Sequence, residues 1–495
     1  MEKMSINLSN SQVNIRDSRL GSITSYHGDA QTLIDQSKDR ALHFRNRSYS
    51  QCSDCSQGCA ETLVYHIRGA AVVTHAPIGC NAGVSGQNYT ARAVSVARGQ
   101  EIHNVHMIST NIQEKDTVYG GLEKLRETIQ EAYDRFSPSA IFVTSSCASG
   151  IVGDDIESVT CEMENELGIP VIPVFCEGFK SRVWTTGFDA AYHSILRKLV
   201  KPPQKKQKDL VNIFNFQGGD TFSSLLKKMN LRSNYLVPLA TVEQLAEMSE
   251  AAVSVHMCET LGTYISAALE EQYGVPEVKA PAPFGVEWTD KWIRAIAKET
   301  GREKLAEKVI AQEHERIAPQ LQEIREKLKG KKVYVFAGDS FAHSLANLAI
   351  DVGLELVGIT TLHHDQKVDN TNSEELITLD NLIKSRGNIT EFSVCNKQPY
   401  EVIKILKRLR PDVMIVRHQG LTVLSAKLGI PAINEGDANA SVGYDGVIKF
   451  GNRVYDALRT IKFEKNIAAH VKFPYSKWWL EEEPDPFYFE KEEEK

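Results

Sequence analysis

Ala140-Ile-Phe-Val-Thr-Ser-Ser-Cys147, followed by Ala148-Ser-Gly-Ile-Val-Gly-Asp-Asp-Ile-Glu157, decides the fold class. The apolar, β-branched run predicts a buried strand that ends on a thiol. A glycine-containing turn follows, then a helix start, with Asp154 and Glu157 at capping-box spacing. A parallel strand that delivers a side chain to its C-terminal end puts it where open α/β sheets bind ligands.

The same unit recurs outward from this stretch. Ala70 to Ala76 predicts a strand, and Pro77-Ile-Gly-Cys80 ends it on a thiol. Val171-Ile-Pro-Val-Phe-Cys176 and Ala251-Ala-Val-Ser-Val-His-Met-Cys258 repeat the pattern. Further strands are expected at 210–216, 332–337, 355–361 and 412–418, the last ending in His418. Helical periodicity covers 117–137, 263–273, 286–330 and 340–352. This β-turn-α alternation implies an α/β fold of parallel, doubly wound sheets flanked by helices.

The 495 residues exceed one core, and about three domains of ~150 residues are expected. Residues 1–50 are polar and read as an N-terminal arm ordered against a partner. An α/β domain spans 51–208 and closes on the basic linker Lys201 to Lys208; a second spans 209–330 and a third 331–475. Residues 476–495, with Trp478-Trp479 and Glu481 to Glu483, form an acidic tail that packs on a subunit neighbour or stays solvated.

A net charge of -7 argues against a general nucleic-acid binder, because no basic excess is available to neutralise phosphates. No secretory h-region opens the chain, and no apolar run reaches the ~18–20 residues of a membrane span, so a cytoplasmic protein with no membrane partner is expected. Neither a Walker A pattern nor a Gly-x-Gly-x-x-Gly after a strand occurs, so the chain is not expected to bind ATP or a dinucleotide itself.

Nine cysteines, an odd number in a reducing compartment, leave metal ligation or inert burial. Cys80, Cys147, Cys176 and Cys258 end strands or sit on turns beside them, and Cys55 or Cys59 lies in a loop before the first strand. Thiolates are the ligands of iron–sulfur clusters, whose potential is tuned by backbone N–H donors and burial. A zinc site on Cys52, Cys55 and Cys59 alone lacks the second knuckle. Cys161, Cys395 and Cys176 read more simply as small buried hydrophobes.

His75-Ala-Pro-Ile-Gly-Cys80, Gln113 to Gly121, Cys147 with Gly153 to Ser158, and Val174-Phe-Cys-Glu-Gly-Phe179 together resemble the α-type subunit of nitrogenase component 1. Val255-His-Met-Cys258, Glu270 to Pro276, Arg410-Pro-Asp412, Gly429-Ile-Pro431 and Gly443-Tyr-Asp-Gly446 extend the resemblance in colinear order over about residues 50–450. It implies three Rossmann-like domains around a buried metallocluster. It implies that Cys55, Cys80 and Cys147 are the α-side ligands of a P-cluster-type 8Fe–7S (or 4Fe–4S) relay cluster shared with a homologous β-type subunit, in an α2β2 complex. Cys55 matches the family's spacing to Cys80 better than Cys59 does. It implies that Cys258 holds a larger iron–sulfur active-site cluster, with a form lacking a heterometal left open, and that a separate ATP-dependent Fe–S reductase supplies electrons.

The sequence departs from that family around the active-site cluster. Residues 432–442 contain no histidine where the family's second cofactor ligand stands. Trp184 and Phe188 take the places of a glutamine and the substrate-facing histidine, Asp339-Ser340 those around an arginine, and Gln419 that of a lysine beside the new His418. An apolar, aromatic-lined pocket suits a small neutral organic substrate. His418 is the candidate replacement ligand, or a hydrogen-bonded strand-end histidine. His256 is expected on the strand face of Cys258, as a donor to a cluster sulfide or as a packed core histidine. His363 and His364 read as solvated or supporting groups. Within the family the sequence most resembles the methylthio-alkane reductases, which implies reductive C–S cleavage with catalytic residues Cys258, His418, Trp184 and Phe188. A cofactor-assembly scaffold and an alternative nitrogenase are the other readings.

Overall fold

The structure, a computed structural model, describes residues 6–42, 55–214, 218–369, 378–395, 399–417, 420–436 and 440–481. They form two compact units. The first comprises Met1–Arg19, Asp54–Met257 and Leu261–Val278; the second comprises Leu20–Ser53, Cys258–Thr260 and Lys279–Lys495.

The first unit holds two parallel sheets. One runs Met107–Ser109, Ala70–His75, Ala140–Ser145, Val171–Val174 in spatial order; the other runs Arg232–Leu236, Gln207–Phe214, Ala251–His256. Continuous β-branched runs suit strands covered on both faces, and Ala70–His75 and Ala140–Ser145 are buried throughout. The second unit holds a sheet ordered Ser25–Gly28, Phe392–Cys395, Glu355–Thr361, Lys332–Ala337, Val413–Val416, Ala432–Asn434. It is parallel apart from Ser25–Gly28, which pairs antiparallel with Phe392–Cys395.

In each sheet the earliest strand of the parallel set lies inside, so the chain winds both ways from it. The switch points fall between Ala70–His75 and Ala140–Ser145, between Gln207–Phe214 and Ala251–His256, and between Lys332–Ala337 and Val413–Val416. Ligands bind at such points, beyond the strands' carboxyl ends. The chain leaving these strands carries Cys80, Cys147, Cys258 and Asp339.

Several boundaries differ from expectation. The opening strand stops at Ser145, and Cys147 begins the helix Cys147–Val152, capped by Ser146 with Ser149. Gly153, at φ 81, ends that short helix, and Asp155, not Asp154, caps the next, Ile156–Leu167. The Asp154 carboxylate instead takes a hydrogen bond from His75 Nε2 at 2.9 Å and the Gly121 N–H at 3.1 Å. Likewise Gly120 at φ 88 and Gly301 at φ 68 split the two long helical stretches, because positive φ is costly for other residues. The expected N-terminal arm carries the helices Arg16–Arg19 and Ala30–Lys38 besides its strand. That strand has four residues and a partner more than three hundred residues away, so no local pattern announces it.

Candidate metal centres

Three thiols share one face of the first unit. Cys55 is the N-cap of the helix Ser56–Val64, Cys80 sits in the turn Ile78–Asn81, and Cys147 opens its helix. All three are exposed, whereas Cys59 and Cys176 are buried. Gly178 lies against two of them: a Cβ there would stand 3.2 Å from Cys55 Cβ and 3.4 Å from Cys147 Sγ. Burial, then the neighbouring Cys55, Glu61 and Cys147, push the Cys80 thiol up from its ordinary value. Three soft donors, two of them against a glycine with no side chain, fit an iron–sulfur cluster. Cys59 is turned into the core, so Cys55 is the thiol of that segment on this face.

Two buried carboxylates support the face. Glu61 Oε1 accepts from Gln57 Nε2 at 2.9 Å, Thr74 Oγ1 at 3.1 Å and Thr144 Oγ1 at 3.0 Å. Burial raises its carboxyl, and these donors only partly offset that. Asp154 holds His75, whose other nitrogen meets Thr110 Oγ1 at 3.1 Å. Ile78, Ile151 and Phe179, next in sequence or one turn from the thiols and Gly178, are 63%, 78% and 54% exposed. An apolar rim of that kind marks a protein interface.

Cys258 belongs to the second unit and is buried, immediately before the helix Glu259–Tyr273. The strand before it ends at His256, so strict alternation does not extend to Cys258. Its Sγ lies 3.3 Å from Ser340 Oγ. Ser340 Oγ accepts the Glu259 N–H at 3.0 Å. Glu259 accepts the Thr378 N–H at 3.1 Å and the Thr378 hydroxyl at 3.2 Å, and Thr260 Oγ1 meets His363 Nε2 at 3.3 Å.

Asp339, beside Ser340, lies among imidazoles. Its Oδ1 is 3.7 Å from His343 Nε2 and 3.5 Å from His364 Nδ1, while Oδ2 accepts the Asp365 N–H at 3.1 Å. Burial pushes His343 down to about 4, against the pull of Asp339. Burial opposes ionisation of Asp339, but the imidazoles, His364 foremost, hold its carboxyl below the usual range. His363 and His364, expected to be solvated or supporting, are buried at 1% and 5% exposure.

The remaining site residues are placed as follows. His256 is buried in the first unit; its Nε2 meets Glu277 Oε1 at 3.1 Å, and its Nδ1 has no hydrogen-bond partner among the described residues. Trp184 and Phe188 are half-buried at the start of the helix Thr186–Lys198, which packs on Ser56–Val64 so closely that a Cβ on Gly187 would sit 1.8 Å from Ser56 O. His418 lies outside the described residues, as does Cys52. Glu61, His343 and Thr378 carry no signal in the sequence, whereas Gly178 stands in the Val174–Phe179 motif and Asp339-Ser340 in the turn after Lys332–Ala337.

The model of the family described as nitrogenase component 1 type oxidoreductase matches residues 55–459. A nitrogenase molybdenum-iron protein alpha chain of Methanothermobacter marburgensis is 27% identical over 83% of this chain and 89% of its own length. A nitrogenase iron-molybdenum cofactor biosynthesis protein NifE of Methanococcus maripaludis is 29% identical over 82% of this chain and 83% of its own length. A solved structure, nitrogenase Cp1 at pH 6.5, superposes with a TM-score of 0.72, covering 88% of this chain and 94% of that chain at 23% identity, a likeness of fold. Among the described residues, no helix is long and apolar enough to cross a membrane.

Proposed function

The chain belongs to the nitrogenase component 1 type oxidoreductase family, and we propose that within it this protein is the catalytic α-type subunit of a reductase that cleaves the C–S bond of small methylthio-alkanes. The overall reaction balances as R–S–CH3 + 2 e− + 2 H+ → R–H + CH3SH. Electrons come from a separate ATP-dependent Fe–S reductase. A β-type homologous subunit covers the three-thiol face and shares its cluster, which the exposed Ile78, Ile151 and Phe179 favour.

Bound to this chain, iron–sulfur clusters supply low-potential electrons at Cys55, Cys80 and Cys147 and at Cys258. The protein's own residues do the rest. Ser340 Oγ is in hydrogen-bond contact with the Cys258 sulfur and would donate to it as a thiolate, and the Glu259 N–H orients Ser340. Trp184, Phe188 and His418 are assigned to the substrate side on the family's positions. The observation that carries the reading is Asp339-Ser340 beside Cys258: the thiol meets a neutral hydroxyl, preceded by a carboxylate, where the family places an arginine. Such a site repels an organic acid and admits a neutral thioether.

The test is anaerobic turnover with the reductase, ATP and ethyl methyl sulfide. Steady release of methanethiol and ethane supports the reading. A second reading, a scaffold on which a nitrogenase-type cofactor is assembled, is favoured by the similarity to NifE. Cluster transfer to an apo-acceptor without turnover would establish it, and ammonia from N2 would establish an alternative nitrogenase.

A further inference from the structure

One carboxylate oxygen in the first unit gathers a donor from each of the three segments that carry the exposed thiols. Gln57 Nε2, two residues after Cys55, donates to Glu61 Oε1 at 2.9 Å. Thr74 Oγ1, on the strand that leads to Cys80, donates to the same oxygen at 3.1 Å, and Thr144 Oγ1, three residues before Cys147, at 3.0 Å. All four side chains are buried, Glu61 at 3% exposure. The carboxyl thus lies at the switch point between Ala70–His75 and Ala140–Ser145, on the buried side of the thiol face.

The three donors are an amide and two hydroxyls, all neutral. The titratable groups within electrostatic reach are Tyr65 at the end of the same helix, Cys80, and Cys176 after the strand Val171–Val174. None of these is a cation. Tyr65 stands among Glu61, Thr74 and Asn81, the residue after Cys80, so uncharged polar groups line the way from the carboxyl to the Cys80 turn. An electron added at three thiolates brings negative charge into a region with little water, and a nearby acid is then favoured in its neutral form. Oε1 already accepts three hydrogen bonds, so a proton on this carboxyl sits on Oε2.

We propose that Glu61 is the proton partner of the relay cluster on Cys55, Cys80 and Cys147: as one electron enters, one proton from solvent forms an O–H bond at Oε2, and that bond breaks as the electron leaves. The exchange leaves the net charge of the buried region unchanged, which eases reduction. Glu61 acts through the thiolates and is a positioning residue; it does not meet substrate. The inference rests on the reading of those three cysteines as cluster ligands and holds whether the chain serves as reductase or as scaffold.

The test is a redox titration of the anaerobically purified native complex, from mildly acid to mildly alkaline pH, that follows the electron paramagnetic resonance and absorbance signal removed by Cys147→Ala. The parent midpoint potential is expected to fall with pH, approaching a tenfold change in the reduction equilibrium per pH unit, about 59 mV for one electron. Glu61→Gln keeps the Oε1 acceptor and carries no charge at any pH, so it is expected to hold the parent's acid-limb potential throughout. Iron per chain and thermal unfolding show that this variant is loaded and folded; if it is not, Thr144→Val decides. That variant removes one donor to the ionised carboxylate, so the sloping window is expected to move to higher pH. A parent potential independent of pH, a slope that survives in Glu61→Gln, or a window unmoved in Thr144→Val overturns the proposal and leaves Glu61 a structural hydrogen-bond acceptor. Absence of any Cys147-dependent signal overturns the cluster reading itself, and the proposal with it.

Discussion

The two thiol regions differ in what surrounds the sulfur. Cys55, Cys80 and Cys147 are exposed, stand at a glycine cradle, and have apolar side chains open to solvent beside them. Cys258 is buried and sits among a serine, a threonine, a glutamate and, beyond Ser340, an imidazole–carboxylate group. The first region lies open at the surface. The second has its own polar support, which sets hydrogen bonding and charge at one thiol. The contrast is between an open, apolar-rimmed thiol face and a buried, polar-supported single thiol; the proposed function assigns sharing to the first and chemistry to the second.

Removing one thiol from each region is the strongest way to break that contrast. Cys258→Ala is expected to abolish thioether cleavage while iron bound at the three-thiol face persists. Cys147→Ala is expected to lose that iron and weaken subunit association while metal at Cys258 persists. Iron per chain and size-exclusion mass read both, and equal losses in the two variants would refute separate roles.

The support behind each region gives the next largest effects. Asp189 pairs with Arg16, at 2.6 Å, and with Arg19, all three buried, and it anchors the helix Thr186–Lys198 that backs Cys55. Asp189→Asn removes the carboxylate that both buried guanidiniums share and is expected to cost about 3–5 kcal/mol in chemical unfolding. Gly187→Ala drives a Cβ to 1.8 Å from the backbone oxygen of Ser56, and a loss of about 1–3 kcal/mol or more is expected. The atoms nearest a Cβ in Gly178→Ala are side-chain atoms of Cys55 and Cys147, at 3.2 and 3.4 Å, so the fold is expected to stand while iron at that face falls.

The smallest effect is a pH slope. Glu61 has its folded-state pKa raised by burial, so the native state holds the proton more tightly than the unfolded chain. Its contribution is present below the ordinary carboxylate range and is lost as pH rises through the raised value. Glu61→Gln is expected to flatten stability across that window and to exceed the parent protein at pH 8, read from denaturation midpoints. An unchanged slope would mean that Glu61 is ionised in the native state.

Much of the scaffold is legible in local pattern. Strand Lys332–Ala337 and strand Glu355–Thr361 fall where their β-branched runs predict them, because buried parallel strands are continuous apolar stretches. Strands of three to five residues, such as Met107–Ser109 and Arg232–Leu236, escape because pairing, not composition, makes them. The thiols were visible as residues, but their places were misjudged by a turn: Cys147 opens a helix, and Cys258 follows a strand that ends at His256.

Residue order alone determined the α/β class, the recurrent strand–thiol–helix unit and the family, since each rests on short-range periodicity and motif. The resemblance preferred Cys55 to Cys59 on its spacing to Cys80, and the tertiary structure adds that the first faces solvent and the second the core. Only it brought Ser37, Asp339, His343, His364 and Thr378 into one group. These residues come from distant parts of the chain, and what unites them is desolvation at a sheet's switch point, a property of packing that no local stretch encodes.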